Sequence, residues 1–170
     1  KKKKYADFMR PGRYELKKGM TTNELVNMLR SGAQSPVNIT FNNVRFKEEL
    51  AGKVSKYIKA DSTSILQLFS NEQQIADWGF TEENFRAMFI PNTYEMYWTT
   101  SAYEFAQRMK TEYDRFWNDT RTKQAAKMGF TPQQVVTLAS IVQSETIKPD
   151  ELKTVAGLYI NRLNKGIKKE

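Results

Sequence analysis

"SPVNITFNN", residues 35–43, puts Val37, Ile39 and Phe41 on one side of an extended chain and Asn38, Thr40 and Asn42 on the other. Alternation at period two marks a strand with one buried face. Upstream, "PGRYELKKGMTTNELVNMLRSG", residues 11–32, reads as a short alternating strand, a turn and a Thr-led helix. That helix carries Leu25, Met28 and Leu29 on one face and stops at Gly32. Strand, helix and strand make a β-α-β module over residues 10–43, too small to bury a core unaided. From residue 44 the periodicity becomes helical. The expected fold class is α+β: a basic tail at residues 1–9, the module at 10–43, and a mainly helical portion at 44–170.

Within the helical portion, Leu50, Val54 and Ile58 recur four apart, and Asp61 is placed to cap a helix carrying Ile65, Leu66 and Phe69. "NEQQIADWGF" predicts a short helix closed by Gly79, and "TEENFRAMF" another short helical turn. "IPNTYEMYW", residues 90–98, breaks the pattern with Pro91 and a run of aromatics, and reads as a loop with buried rings. Residues 101–127 read as one long helix. Thr131, Pro132 and Gln134 agree on the start of the next: an N-cap, a proline at the first helical position and a capping-box partner. The last helix is expected to begin with Asp150 as N-cap, to face Leu152, Val155, Tyr159 and Leu163 inward, and to end at Gly166.

Composition narrows the chemistry. The chain has no Cys and no His, which removes disulfides, thiolate chemistry and the Ser-His-Asp and Cys-His triads. Its net charge is +8, of which Lys1 to Lys4 supply four, leaving 8 − 4 = +4 spread among acids. Such a distribution points to a solvated basic tail and not to nucleic-acid binding. No Asp or Glu cluster has metal-loop spacing and there is no Gly-rich phosphate cradle, so neither metal nor cofactor is expected. No apolar run reaches the ~18 residues of a membrane span. The chain opens at "KKKKY" without Met and is expected to be part of a longer protein.

One carboxylate is oddly placed. In "LASIVQSETIKPDE", residues 138–151, Leu138 and Val142 share a helical face, and the next residue on that stripe is Glu145. Pro149 disfavours helix at Lys148, so the helix is expected to end near Ile147 with Glu145 in its last turn. There the negative end of the helix dipole disfavours the anion, and partial burial of the stripe would act in the same direction. A carboxyl group held protonated is what a general acid requires. The other reading is a Glu that curls into solvent at a frayed helix end. Tyr94, Tyr97 and Trp98 offer ring faces on which sugars could stack, or they belong to the core. Asn161 and Arg162 alone read as the solvated face of the last helix.

Four ordered segments resemble the YceG-like endolytic murein transglycosylases, the MltG family. "LASIVQSET" and "VAGLYINRLNKG" resemble its A-S-I-V-E-K-E-T and V-A-x-V-F/Y-I-N-R-L-x-x-G-M patterns, "RPGRYELKKGMTTNELVNMLRSG" its K-P-G-x-Y start, and "FIPNTYEMY" its P-D-T-Y segment. The resemblance covers most of residues 10–167. It implies a LysM-like module before a catalytic domain, and a single N-terminal membrane helix anchoring the protein in the inner membrane, with this region facing the periplasm or outer wall. It also implies cleavage of the MurNAc–GlcNAc bond of peptidoglycan glycan strands to leave 1,6-anhydroMurNAc ends, with cell-wall synthases as partners. The family's catalytic acid falls on Glu145, and substrate contacts are expected at Gln143, Asn92, Tyr94 and Asn161. A lytic transglycosylase manages with one acid/base because the sugar's own 6-hydroxyl attacks, whereas hydrolytic glycosidases need two carboxylates. The sequence departs from the pattern at Gln143, where the family has Glu, and at Asn92, where it has Asp. It also stops before the family's L-Q-x-D-P-T segment, which implies an incomplete catalytic domain; a non-catalytic wall-binding or scaffold module is the alternative.

Overall fold

The strand predicted at residues 35–43 forms as β1 (Val37–Phe41), and its partner comes from the segment read as a loop. The computed structural model describes residues 9–42 and 45–166, so nearly all of the expected basic tail lies outside the described residues. β1 pairs antiparallel with β2 (Asn92–Met96) in the register Val37 to Met96, Ile39 to Tyr94 and Phe41 to Asn92. Val37, Ile39, Phe41, Tyr94 and Met96 are buried, and on the opposite face the hydroxyls of Thr40 and Thr93 meet at 2.7 Å. Tyr94, Glu95, Met96 and Tyr97 do alternate, and Pro91 precedes the strand, where its missing N–H costs no ladder bond. The aromatic run obscured a period-two signal that was present.

No strand forms over residues 11–20, which corrects the β-α-β order. This segment runs beside α1 (Thr22–Ser31): the Arg10 N–H donates to the Leu29 carbonyl and the Ser35 N–H to the Arg13 carbonyl. Leu16 is exposed, so the segment offers no apolar face to the core, and among the described residues β1 pairs with β2 alone. α1 is Thr-led and stops at Gly32 as expected; the structure adds a capping box between Thr21 and Glu24 and puts Gly32 in the left-handed region.

Because β1 and β2 join distant segments, the expected boundary at 43/44 falls inside the first of two compact units, Lys1–Glu112 and Tyr113–Glu170. The first unit also contains α2 (Lys47–Val54), α3 (Ser62–Phe69), α4 (Glu72–Asp77) and a 3-10 turn at Phe85–Met88. Its core is aromatic. Phe69 lies 5.1 Å from Phe85 and 5.2 Å from Phe89, ring centre to ring centre, and Phe41 stacks on Tyr94 at 5.2 Å.

Asp61 caps α3 by accepting the Ser64 N–H, and this bond, backed by the Ser64 side chain, holds its carboxyl below the usual range. A depressed folded value contributes stability above the unfolded value of about 3.9, and that contribution is lost as pH falls through the folded value. Asn caps as well as Asp and does not titrate. Stability curves from pH 7 to 2 are therefore expected to show the parent losing more than Asp61→Asn below about pH 4. Parallel losses would remove the cap from acid unfolding.

The long helix expected over residues 101–127 is two: α5 (Ala102–Phe116) and α6 (Asp119–Lys127). Asn118 separates them, its side chain accepting the Arg121 N–H as N-cap, while the Arg121 guanidinium donates to the Phe116 carbonyl. The second unit continues with α7 (Pro132–Glu145) and α8 (Leu152–Asn164), which pack together. α7 opens with the expected capping box, Thr131 and Gln134 exchanging side-chain and backbone bonds. Thr131→Ala is expected to cost about 1 kcal/mol, read as a lower urea midpoint at unchanged slope.

α8 starts one residue later than expected. Glu151, not Asp150, stands at the cap position, and it makes no capping bond because its carboxylate turns back into the preceding loop. Leu152, Val155 and Tyr159 are half-buried as expected, but Leu163 is 55% exposed and Gly166, at φ 68°, closes the chain's last described turn.

Candidate active site

α7 ends at Glu145, two residues earlier than Pro149 implied, because Thr146 swings to extended backbone (φ −149°, ψ 143°) while its N–H still reaches the Val142 carbonyl. The connection to α8 is built by side chains. The Thr146 hydroxyl donates to Glu151 Oε2 (2.8 Å), Lys148 Nζ donates to Glu151 Oε1 (3.0 Å), and the Lys148 N–H donates to Thr146 Oγ1 (3.1 Å). The Thr146 bond, then the Lys148 bond, hold the Glu151 carboxyl below its ordinary range, so it is a carboxylate that ties the turn. This turn fixes where α8 sets off from the end of α7.

What it sets beside Glu145 is Tyr159. The phenol donates to Glu145 Oε1 at 2.7 Å across the two helices. Three residues on, the Arg162 guanidinium carbon lies 5.9 Å from the centre of the Tyr159 ring. The stripe that Glu145 continues is buried at Val142 but exposed at Glu145, which corrects the expectation that burial would act on the carboxyl. The arrangement is an exposed carboxyl group at a helix end with one oxygen anchored by a half-buried phenol.

The expected substrate contacts are dispersed. Gln143 is exposed on α7 but lies about 200° around the helix from Glu145, so the two do not share a face. Asn161 is exposed on α8, similarly offset from Tyr159. Asn92 and Tyr94 belong to β2 in the first unit. Asn92 is exposed, its side chain accepting the Thr93 N–H. Tyr94 is buried, stacked on Phe41, with its hydroxyl given to the Ile90 carbonyl, and burial pushes its phenol up to about 12. Neither face of that ring is open to a sugar, so Tyr94 is a core residue. Of the three aromatics, Tyr97 is the exposed one, bordering a groove of about 540 Å³ with Glu95, Thr99 and Arg108.

Sequence reading passed over Tyr159 and Arg162. Tyr159 sat on the apolar stripe and Arg162 on the solvated face, although a half-buried tyrosine ordinarily needs a hydroxyl partner. Among the described residues no cluster of three acidic groups could hold a metal ion, and no helix is long and apolar enough to cross a membrane.

A sequence profile of the YceG-like family matches residues 1–169. The chain belongs to the YceG-like family. It is 24% identical over 196 residues to proteins named endolytic murein transglycosylase from Streptococcus pneumoniae serotype 2 strain D39 and from strain R6. The alignment takes in 97% of this chain and 34% of each relative, so this YceG-like chain spans about a third of their length. A crystal structure of a YceG-like protein from Listeria monocytogenes shares the fold, with a TM-score of 0.69 at 20% identity over 93% of this chain and 57% of that one. The profile match takes in α7, α8 and the turn between them, the whole setting of Glu145.

Proposed function

We propose that this YceG-like chain carries the acid/base of an endolytic lytic transglycosylase acting on peptidoglycan glycan strands. Glu145, protonated, gives its proton to the oxygen linking MurNAc to GlcNAc as the bond to MurNAc C1 breaks. The MurNAc 6-hydroxyl oxygen then bonds to C1 and its proton passes to the Glu145 carboxylate, regenerating the acid. The products are a 1,6-anhydroMurNAc end and a GlcNAc with a free 4-hydroxyl, and no water is consumed. The reading is carried by one observation: Glu145 ends α7 as an exposed carboxyl group whose Oε1 accepts the Tyr159 phenol. An acid of this kind can reach a polymer too large for an enclosed pocket.

The names of the pneumococcal relatives support the substrate class. Gln143 and Asn161 in the second unit and, separately, Asn92 in the first are exposed amides that suit sugar hydroxyls and enter the proposal as substrate contacts. A LysM-like wall-holding role for the N-terminal segment, an inner-membrane anchor facing the periplasm or outer wall, and cell-wall synthases as neighbours complete it. The test incubates the full-length protein with purified glycan strands and reads the new ends by mass. Anhydro ends are expected; reducing ends would make the protein a hydrolase, and strands retained but uncut would make it a wall-binding module.

A further inference from the structure

We infer that Tyr159 is a positioning residue that selects which Glu145 oxygen delivers the proton, a role that rests on the acid/base reading of Glu145. The phenol donates to Oε1 at 2.7 Å, so the lone pair it uses is unavailable to carry the carboxyl proton along the same line. When Glu145 is protonated, the proton is thus favoured on Oε2. After transfer, the same bond stabilises the carboxylate left behind, without any rearrangement at that moment. It also restrains the exposed Glu145 side chain at the last position of its helix. Arg162 acts one step further out. Its guanidinium over the Tyr159 ring favours electron withdrawal from the phenol and strengthens it as a donor. Acid, phenol and guanidinium form a relay of three groups, in which the last two come from one face of α8, three residues apart.

The relay depends on the turn. Thr146, Lys148 and Glu151 fix the start of α8, and Tyr159 is set two helical turns beyond that start. A helix free to slide by one residue would rotate the phenol by about 100° and take it off the acid.

The decisive experiment measures kcat, KM and melting temperature on glycan strands for the full-length parent and for Tyr159→Phe, Glu145→Gln, Arg162→Gln and the Tyr159→Phe/Arg162→Gln pair. Tyr159→Phe is expected to lower kcat about 10- to 100-fold, the range for one hydrogen bond to a charged group, with KM and melting temperature unchanged. Arg162→Gln should lower kcat by less and add nothing in the Tyr159→Phe background, because both act through one bond. If Glu145→Gln abolishes cleavage while Tyr159→Phe keeps the parent's kcat, the Tyr159 role is overturned and the acid assignment stands. A Tyr159→Phe loss that tracks a lower melting temperature, or additive losses in the pair, overturns it as well. Equal cleavage by parent and Glu145→Gln removes both assignments together.

Discussion

Glu145→Gln is expected to reduce turnover of glycan strands by about 10²- to 10⁴-fold, the contribution of a positioned general acid/base. Gln keeps the size of the side chain and an oxygen that can accept the Tyr159 phenol, so the site's geometry survives while the transferable proton does not. Glu145→Asp makes the complementary test. It keeps the proton but withdraws the carboxyl by about 1.5 Å, one carbon–carbon bond, and takes it out of reach of Tyr159. Misplacement of that order costs about 10²-fold where reaction demands near-contact geometry. Because Glu145 is exposed, both variants should melt with the parent. Initial rates of anhydro-end formation decide the matter: a variant Gln enzyme within about threefold of the parent is incompatible with a 10² contribution from this residue.

The features legible in the sequence were those whose physics is local. Thr21 with Glu24, Asp61 with Ser64 and Thr131 with Gln134 are caps that close within three residues, so their side chains announce the helix start. β1 was legible because alternation alone says which side is buried. What escaped depends on partners far along the chain. The pairing of residues 37–41 with 92–96 cannot be read from either strand, and it turned a supposed loop into the second half of the sheet. Asn118 was a local signal overlooked, since its cap breaks a helix whose apolar rhythm runs through the gap. The site divides in the same way. Glu145 was visible as a carboxylate at the end of an apolar stripe, whereas its bond to Tyr159 follows from how one turn orients two helices, which no periodicity encodes.

The first unit should be destabilised by about 3–5 kcal/mol in Phe69→Ala, the range for removing a buried aromatic ring from a core. Phe69 is 1% exposed and sits among three rings, with centres at 5.1 Å (Phe85), 5.2 Å (Phe89) and 6.4 Å (Phe105). These neighbours come from the 3-10 turn and its end and from α5, so a void there loosens the contact of α3 with segments from elsewhere in the chain. The tilted and edge-on packing adds attraction beyond area burial, and rings fixed by one another collapse poorly into a gap. Against a domain stability of about 5–15 kcal/mol, such a loss removes a large share of the total. Phe46, which is 62% exposed at the N-cap of α2, is the contrast: its replacement by Ala should stay within about 0.5 kcal/mol. Urea titration followed by circular dichroism would compare the two; a Phe69→Ala loss under about 1 kcal/mol would mean that the ring cluster is not where this unit's stability resides.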